Sequence, residues 1–336
     1  MKSFWQGLNK PFFVMAPMAD VTDVAFRALV AARGAPDVFW TEFVSADGLY
    51  HTREISKMKD ADPTSLGSFE GHGNPLMRDL QFAEDQRPIV AQIFSSKPEM
   101  IAYATKLMAE LGFDGVDINM GCPDRAIERQ ECGAAMMKNP MLAREIIRAA
   151  KVASNLPVSV KTRVGYNKES LDEWLTALLE ESPAAITLHL RTRKEMSLVP
   201  ADWELMKKAV AIRDRVNPSV LLIGNGDVQD IEDGRAKVAE SGCDGAMLGR
   251  AMFGNPWVFA GISGHPMSTH GLDEKLEALL ELAHGFEKLS PPKNFAILKK
   301  HIKAFVTSFD GAADLRAKLM SVNTAIELEK IIRLYT

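Results

Sequence analysis

Long apolar runs are missing from this sequence. The longest, such as Phe12 to Ala19, fall far short of the ~20 residues that span a bilayer, so a membrane-spanning helix is excluded. One Lys stands among the first nine residues, and no apolar stretch with a small-residue cleavage site follows, so the expected location is cytoplasmic. Cysteine is scarce. Cys122, Cys132 and Cys243 are too few for a disulfide framework, and none belongs to a zinc-type pair of C-x-x-C units, so no metal is expected. An excess of positive charge is missing too. With 40 basic and 44 acidic residues and a net charge of −4, no global basic field draws in nucleic acid, and any such contact must use a local patch. Internal repeats and low-complexity tracts are absent. The expectation is a monomer that does not engage membranes.

What is present is an alternation of short β-branched or aromatic runs with longer amphipathic stretches, the pattern of repeated βα units on a parallel sheet. Eight runs read as strands: Phe12 to Ala16, Val38 to Phe43, Ile89 to Ile93, Gly115 to Ile118, Val158 to Lys161, Ala185 to Leu188, Val220 to Ile223, and Gly245 to Leu248. Met141 to Ala153 and Leu171 to Leu179 carry apolar residues at helical spacing. Eight units predict an α/β fold, a closed (β/α)8 TIM barrel. The chain of 336 residues exceeds the ~250 typical of one such barrel and leaves room for a small extra domain. Residues 1–265 are assigned to the barrel, with 50–87 as an inserted loop or lid marked by Asp62-Pro63, Gly67, Gly71 and Gly73-Asn74-Pro75. Residues 266–336 are assigned to a small C-terminal all-helical domain, broken at Ser290-Pro291-Pro292 and at Asp310-Gly311.

Polar and reactive residues follow these runs repeatedly. Pro17-Met18-Ala19-Asp20 follows the first, Gln92 ends the third, and Asp117, Asn119 and Cys122 follow the fourth. Lys161-Thr162-Arg163 ends the fifth, His189 and Arg191 the sixth, Gly224-Asn225-Gly226-Asp227 the seventh, and Gly249-Arg250 the eighth. In a barrel all of them converge on the C-terminal mouth, where catalytic groups sit. Polar strand caps explain any one of them, but poorly explain the whole set.

Gly224-x-Gly226 and Gly249-Arg250 stand after strands seven and eight, the usual phosphate site of such barrels. Tight turns are the competing explanation. A phosphate site with Lys161, Gln92 and Asn119 nearby suits flavin mononucleotide (FMN), whose reduced form is stabilised by a cation beside its pyrimidine edge. An ordinary snorkelling lysine is the alternative for Lys161. Cys122 lies on a Gly-Cys-Pro turn at the same mouth. A free thiol has a pKa of ~8.5 and is mostly protonated at neutral pH, so it can act as an acid. The competing reading is a small buried hydrophobe, the one assigned to Cys132 and Cys243.

These motifs resemble those of the tRNA-dihydrouridine synthases. Ala16-Pro17-Met18-Ala19-Asp20-Val21-Thr22-Asp23-Val24-Ala25-Phe26-Arg27 is similar to the family's opening signature. Asp117-Ile118-Asn119-Met120-Gly121-Cys122-Pro123, followed by Gly133-Ala134-Ala135-Met136-Met137, resembles the region of its catalytic cysteine. Val160-Lys161-Thr162-Arg163, His189-Leu190-Arg191-Thr192, Gly224-Asn225-Gly226-Asp227 and Gly249-Arg250 continue the likeness in order, and the tail resembles the family's helical tRNA-binding domain. The resemblance implies non-covalently bound FMN, NADPH as reductant, and a uridine of tRNA as substrate. It implies FMN contacts from Pro17, Met18, Ala19, Gln92, Lys161, Asn225, Gly226, Asp227, Gly249 and Arg250. It places His189 and Asn119 near flavin and uracil, with Cys122 as the acid that protonates C5. The chain departs from the family where Leu190 and Glu131 replace glycines and where the Tyr50 to Arg87 segment is longer.

A uracil in folded RNA must be unstacked to reach such a mouth, at a cost of a few kcal/mol. Between Lys288 and Lys318, Lys288, Lys293, Lys299, Lys300, Lys303, Arg316 and Lys318 against Asp310 and Asp314 give a local charge of +5, suited to phosphate contacts. A solvated helix face is the alternative. Arg163, Arg191 and Arg193 are expected to add RNA contacts at the mouth. Two other functions compete: an FMN barrel acting on a small molecule, such as an ene-reductase or a dihydroorotate dehydrogenase-like enzyme, and a non-catalytic RNA-binding barrel.

Overall fold

A computed structural model describes residues 3–52, 75–263 and 270–335. Nine strands pair in parallel throughout: β1 (Phe12–Met15), β2 (Phe39–Trp40), β3 (Val44–Ser45), β4 (Ile89–Phe94), β5 (Gly115–Met120), β6 (Val158–Arg163), β7 (Ala185–His189), β8 (Leu221–Asn225) and β9 (Gly245–Leu248). Their order is β1-β9-β8-β7-β6-β5-β4-β2, with β3 also on β4. A parallel bridge between Val14 and Val38 sets β1 beside the approach to β2. Eight parallel barrel strands thus form a nearly closed TIM barrel, as expected.

The strands are apolar because both faces are buried. Along β1, Val14 joins Phe12 and Ala16 in the barrel interior with Trp40, Val90, Ile223 and Met247. Phe13 and Met15 point outward into the layer beneath the helices, the two-residue period of a strand. Trp5 plugs the N-terminal end, its ring 6.0 Å from Phe12 and 5.9 Å from Trp40. The outer helices include Pro98–Glu110, Pro140–Ala153, Leu171–Glu180, Glu204–Val216 and Ile231–Ser241. Pro140–Ala153 has Pro at its first position and an Asn139 cap that accepts from Leu142 N at 3.2 Å, which satisfies an otherwise orphaned amide.

The second barrel strand differs from the expected single run Val38 to Phe43. It forms in two pieces, β2 and β3, that pair with opposite ends of β4. Between them the Thr41 amide still donates to the Val90 carbonyl of β4 at 3.0 Å. Thr41 Oγ1 accepts from the Gln92 amide at 3.1 Å, replacing a ladder bond, and buried Glu42 turns its carboxylate to the Asp20 amide. Part of the 50–87 insertion, residues 53–74, and the Gly264-His265-Pro266 boundary lie outside the described residues.

From Leu272 onward the described chain is helical: Leu272–Glu287, Lys299–Phe305, Ala312–Leu319 and Ala325–Arg333. The two expected breaks occur, and a third at Ser321 to Thr324 was not anticipated. There Thr324 caps the last helix by accepting from Glu327 N. These helices pack on the first barrel helix, Val24–Ala31. A Cβ on Gly285 would lie 3.3 Å from that of Ala25, and His301 stands 5.0 Å from Phe26 and 5.6 Å from Phe253. Among the described residues no helix is long and apolar enough to cross a membrane.

Candidate active site

The strand C-termini surround a cavity of about 250 Å³. Its wall is built from Ala16, Pro17 and Met18 after β1, Lys161 on β6, His189 on β7 with Arg191 and Ser197 beyond, Asn225 to Val228 at the end of β8, and Met247, Gly249 and Arg250 at the end of β9. Nine of the twelve expected cofactor residues therefore share one chamber. Ala19, Gln92 and Asn119 are not in its wall. Val228, Met247 and Ser197 are in the wall but were not anticipated; they are apolar or isolated residues whose position only the fold reveals.

The turn after β8 explains its glycines differently from the sequence reading. Gly226 has φ +128°, and a Cβ there would meet Ala201 at 2.7 Å. Gly224 has another purpose. A Cβ on it would run into the Trp203 indole at 2.4 Å, so this glycine admits a tryptophan rather than an anion. Trp203 Nε1 in turn donates to the Gly226 carbonyl at 2.9 Å and fixes the turn. Asn225 Nδ2 donates to the Met247 carbonyl at 2.8 Å, tying β8 to β9 at the mouth.

Asp227 gathers the cations of this end. Its carboxylate accepts from Arg191, from Arg250 and from the Ala201 amide. Arg250 remains 64% exposed, whereas Arg191 is buried and also donates to the Val199 carbonyl at 2.6 Å. Arg191 NH1 lies 3.2 Å from His189 Nε2. A guanidinium can only donate, so the neutral imidazole keeps its proton on Nδ1. Burial, together with the charges of Lys161, Arg163, Arg191 and Arg250, pushes the imidazole far below its ordinary pKa.

Lys161 is half-buried in the barrel wall and faces the cavity. Burial, reinforced by Arg163, lowers its pKa to about 8. Its ammonium makes no hydrogen bond or ion pair with any described residue.

On the β4–β5 side a chain of polar groups supports the cysteine loop. Gln92 Nε2 donates to Asp117 at 2.7 Å and Ser159 Oγ donates to the other carboxylate oxygen at 2.7 Å. Asn119 Nδ2 donates to Gln92 Oε1 at 3.2 Å. Asn119 Oδ1 then accepts from the amides of Gly121 at 3.1 Å and Cys122 at 3.0 Å. Burial raises Asp117 to about 6. The Cys122 carbonyl accepts from Ala134 N at 2.9 Å, and Gly133, at φ +60°, leaves the room this needs. Cys122 itself is half-buried against Phe43, Phe94, Ile127 and Cys132. Burial pushes its thiol above the ordinary value, although Lys161 and Arg163 pull the other way. Cys132 and Cys243 are buried, as expected.

The arginines assigned to RNA contact are engaged within the protein. Arg163 donates to the carbonyls of Gly121 (2.8 Å), Thr192 (3.1 Å) and Met196 (2.9 Å), which joins the cysteine loop to the loop after β7. Arg193 is paired with Glu128 and lies over the Tyr166 ring. Buried Arg191 completes the cavity wall. In the tail, the helix Lys299–Phe305 leaves Lys303 exposed and Lys299 and Lys300 half-buried. Arg316 donates to the Val306 carbonyl at 2.9 Å. Lys293 does not belong to the basic patch, because its side chain is only 3% exposed against Glu42.

The family model for dihydrouridine synthase matches residues 14–334. The chain is 40% identical over 335 residues to the probable tRNA-dihydrouridine synthase 2 of Bacillus subtilis (strain 168), covering 98% of this chain and 96% of the relative. It is 37% identical over 332 residues to the probable tRNA-dihydrouridine synthase of Staphylococcus aureus (strain COL), covering 98% and 95%. Among solved structures, a 2-naphthoyl-CoA reductase in complex with 2-naphthoyl-CoA superposes with TM-score 0.54 at 9% identity, over 76% of this chain and 50% of that one. A variant of morphinone reductase in complex with tetrahydroNAD superposes with TM-score 0.50 at 11% identity, over 75% and 86%. At such identities the likeness is one of fold. With the ordered strand-end motifs and a match that runs from β1 into the last helix, the chain belongs to the dihydrouridine synthase family.

Proposed function

We propose that this protein is a cytoplasmic tRNA-dihydrouridine synthase that reduces the C5–C6 bond of particular uridines in tRNA, using FMN and NADPH. The observation that carries the reading is one mouth holding both a cavity with a lysine that has no partner among the described residues and a cysteine loop whose thiol burial keeps protonated.

The cavity residues fit a flavin nucleotide. Lys161 offers an ammonium with no described protein partner, suited to the electron-rich pyrimidine edge. Gly226 bares its backbone where a Cβ has no room, and Arg250 presents an exposed guanidinium for a phosphate. Neutral His189, with its proton on Nδ1, offers a hydrogen bond without adding a second cation. When bound, FMN would supply hydride chemistry at C6 of uracil, with NADPH as the source of the reducing equivalents.

The protein's own work lies in the proton and the placement of the base. Charge developing on C5 and O4 is quenched by a proton from Cys122 Sγ to C5, a contribution typically worth ~10²–10⁴-fold. Asn119 holds that thiol's loop through two backbone amides, and Arg163 locks the same loop from the Gly121 carbonyl. The uridine must leave the RNA stack to arrive there. Lys299, Lys300, Lys303 and Lys318 on the C-terminal helices offset that cost through phosphate contacts. Arg163, Arg191 and Arg193 act by holding the loops of the mouth.

The test is direct. Purified full-length protein with FMN and NADPH is incubated with unmodified tRNA transcript, and nucleosides are analysed by mass spectrometry. Dihydrouridine is expected. Flavin-loaded protein that oxidises NADPH but leaves every uridine intact would overturn the reading.

A further inference from the structure

A buried charge cluster outside the cavity sits where the C-terminal segment meets the barrel. Glu42, in the break between β2 and β3, accepts from the Asp20 amide through Oε1 and from Lys293 Nζ at 2.5 Å through Oε2. The two side chains are 5% and 3% exposed. Lys293 also lies 3.3 Å from Asp79. Asp79 pairs with Arg78 at 3.0 Å, and Arg78 donates to the carbonyls of Pro291 (3.2 Å) and Pro292 (3.4 Å). Asp23 and Arg27 complete the set of charges around Glu42 and Lys293. Asp20 has φ +57°, a conformation that a non-glycine residue holds only where its surroundings impose it. Immediately before it, Ala16, Pro17 and Met18 form one wall of the cavity.

We infer that Glu42 is a positioning residue for the Pro17–Asp20 loop and that Lys293, delivered by the segment joining the first two C-terminal helices, is its counter-ion, so that cofactor binding in the barrel is coupled to docking of the C-terminal helices. Glu42 fixes the Asp20 amide, and hence the cavity wall, only while its carboxylate stays buried and in place. Three carboxylates, Asp23, Glu42 and Asp79, share this site with Arg27, Arg78 and Lys293. Without Lys293 the carboxylates outnumber the cations and Glu42 loses its counter-ion in a poorly solvated space, where removing one member of a buried pair is far costlier than replacing both. Coupling between two linked sites is reciprocal. Ligand in the cavity therefore tightens the seat of the Pro291–Lys293 segment, and the seated segment tightens the cavity.

The inference takes the cavity as the flavin site, but its test has two independent readouts on the full-length protein. One is FMN dissociation measured by flavin fluorescence. The other is amide hydrogen exchange of the peptide that contains Met18 to Thr22, recorded without ligand. Lys293→Met should raise the FMN Kd about tenfold at pH 8, within the usual range for linked sites. It should also speed exchange of the Asp20 peptide. Both effects should shrink as pH falls and Glu42 takes up a proton, since burial lifts its carboxyl to about 7 even with Lys293 in place to lower it. The double variant Glu42→Gln/Lys293→Met should recover most of the loss, because a neutral pair leaves no unpaired charge and Gln still accepts from Asp20 N. It also keeps the test available should the single variant fail to fold. Wild-type exchange and wild-type Kd in Lys293→Met, or a double variant as impaired as the single one, would overturn the inference. A wild-type protein that takes up no FMN would overturn the flavin reading alone, since the exchange experiment still decides the positioning role.

Discussion

Asn119 Oδ1 accepts from the Cys122 amide at 3.0 Å and from Gly121 at 3.1 Å, so the last strand residues of β5 and the cysteine loop move as one body. The thiol's position is thereby set by the barrel sheet rather than by the loop. Replacing Asn119 by Ala frees two amides and leaves Gln92 Oε1 without its donor. The expected result is a stability loss of about 1–3 kcal/mol and a fall in kcat with flavin still bound. Thermal melting and flavin absorbance on the same preparation check both halves.

Cys122→Ala removes the proposed acid but little packing. Flavin uptake and tRNA affinity should stay near wild type, while dihydrouridine formation falls by about 10²–10⁴. Retention of full turnover would remove Cys122 from the mechanism. Because burial raises the thiol's pKa, a limb of the pH–rate profile that reports this acid should lie above the ordinary thiol value of ~8.5, with activity lost toward higher pH.

Lys161 is held at about 8 by burial and the Arg163 charge. Its cation is present below that value and lost above it. FMN affinity measured by titration of flavin-free protein should therefore weaken as pH rises through about 8. Lys161→Met should bind more weakly at pH 7 and lose this dependence. An unaltered pH profile in the variant would show that another group is responsible.

Gly226→Ala tests the cradle. The new Cβ meets Ala201 at 2.7 Å and must adopt φ +128°, so a cost of about 1–3 kcal/mol is expected from backbone strain, together with loss of flavin. Circular dichroism and fluorescence titration separate the two effects.

Glu131 offers a gain. It stands at φ +60° just past the short helix Arg125–Glu128, exposed to solvent. The left-handed conformation costs a side-chain-bearing residue about 1–2 kcal/mol, and glycine returns about 0.5–1 of that through its freer unfolded chain. Glu131→Gly should therefore raise stability by about 0.5–1 kcal/mol, seen as a higher denaturation midpoint in urea.

Much of this architecture is written in local sequence. The eight strand runs are legible because a strand buried on both faces must be apolar along its whole length, and the strand-end residues are legible because a barrel aims every strand C-terminus at one mouth. Cys122, Lys161, Asn225 to Asp227 and Gly249-Arg250 could be found that way, since position along a strand is a one-dimensional property. The tertiary structure decided what no spacing encodes. Gly224 makes room for Trp203, more than twenty residues away on another element. Lys293 is buried against Glu42 across the whole length of the barrel sequence, and Arg163, Arg191 and Arg193 spend their donors on loop carbonyls and carboxylates. A charged residue looks the same in sequence whether it meets solvent, RNA or a buried partner. Only the fold selects among them, because desolvation and pairing depend on neighbours that the chain brings together from far apart.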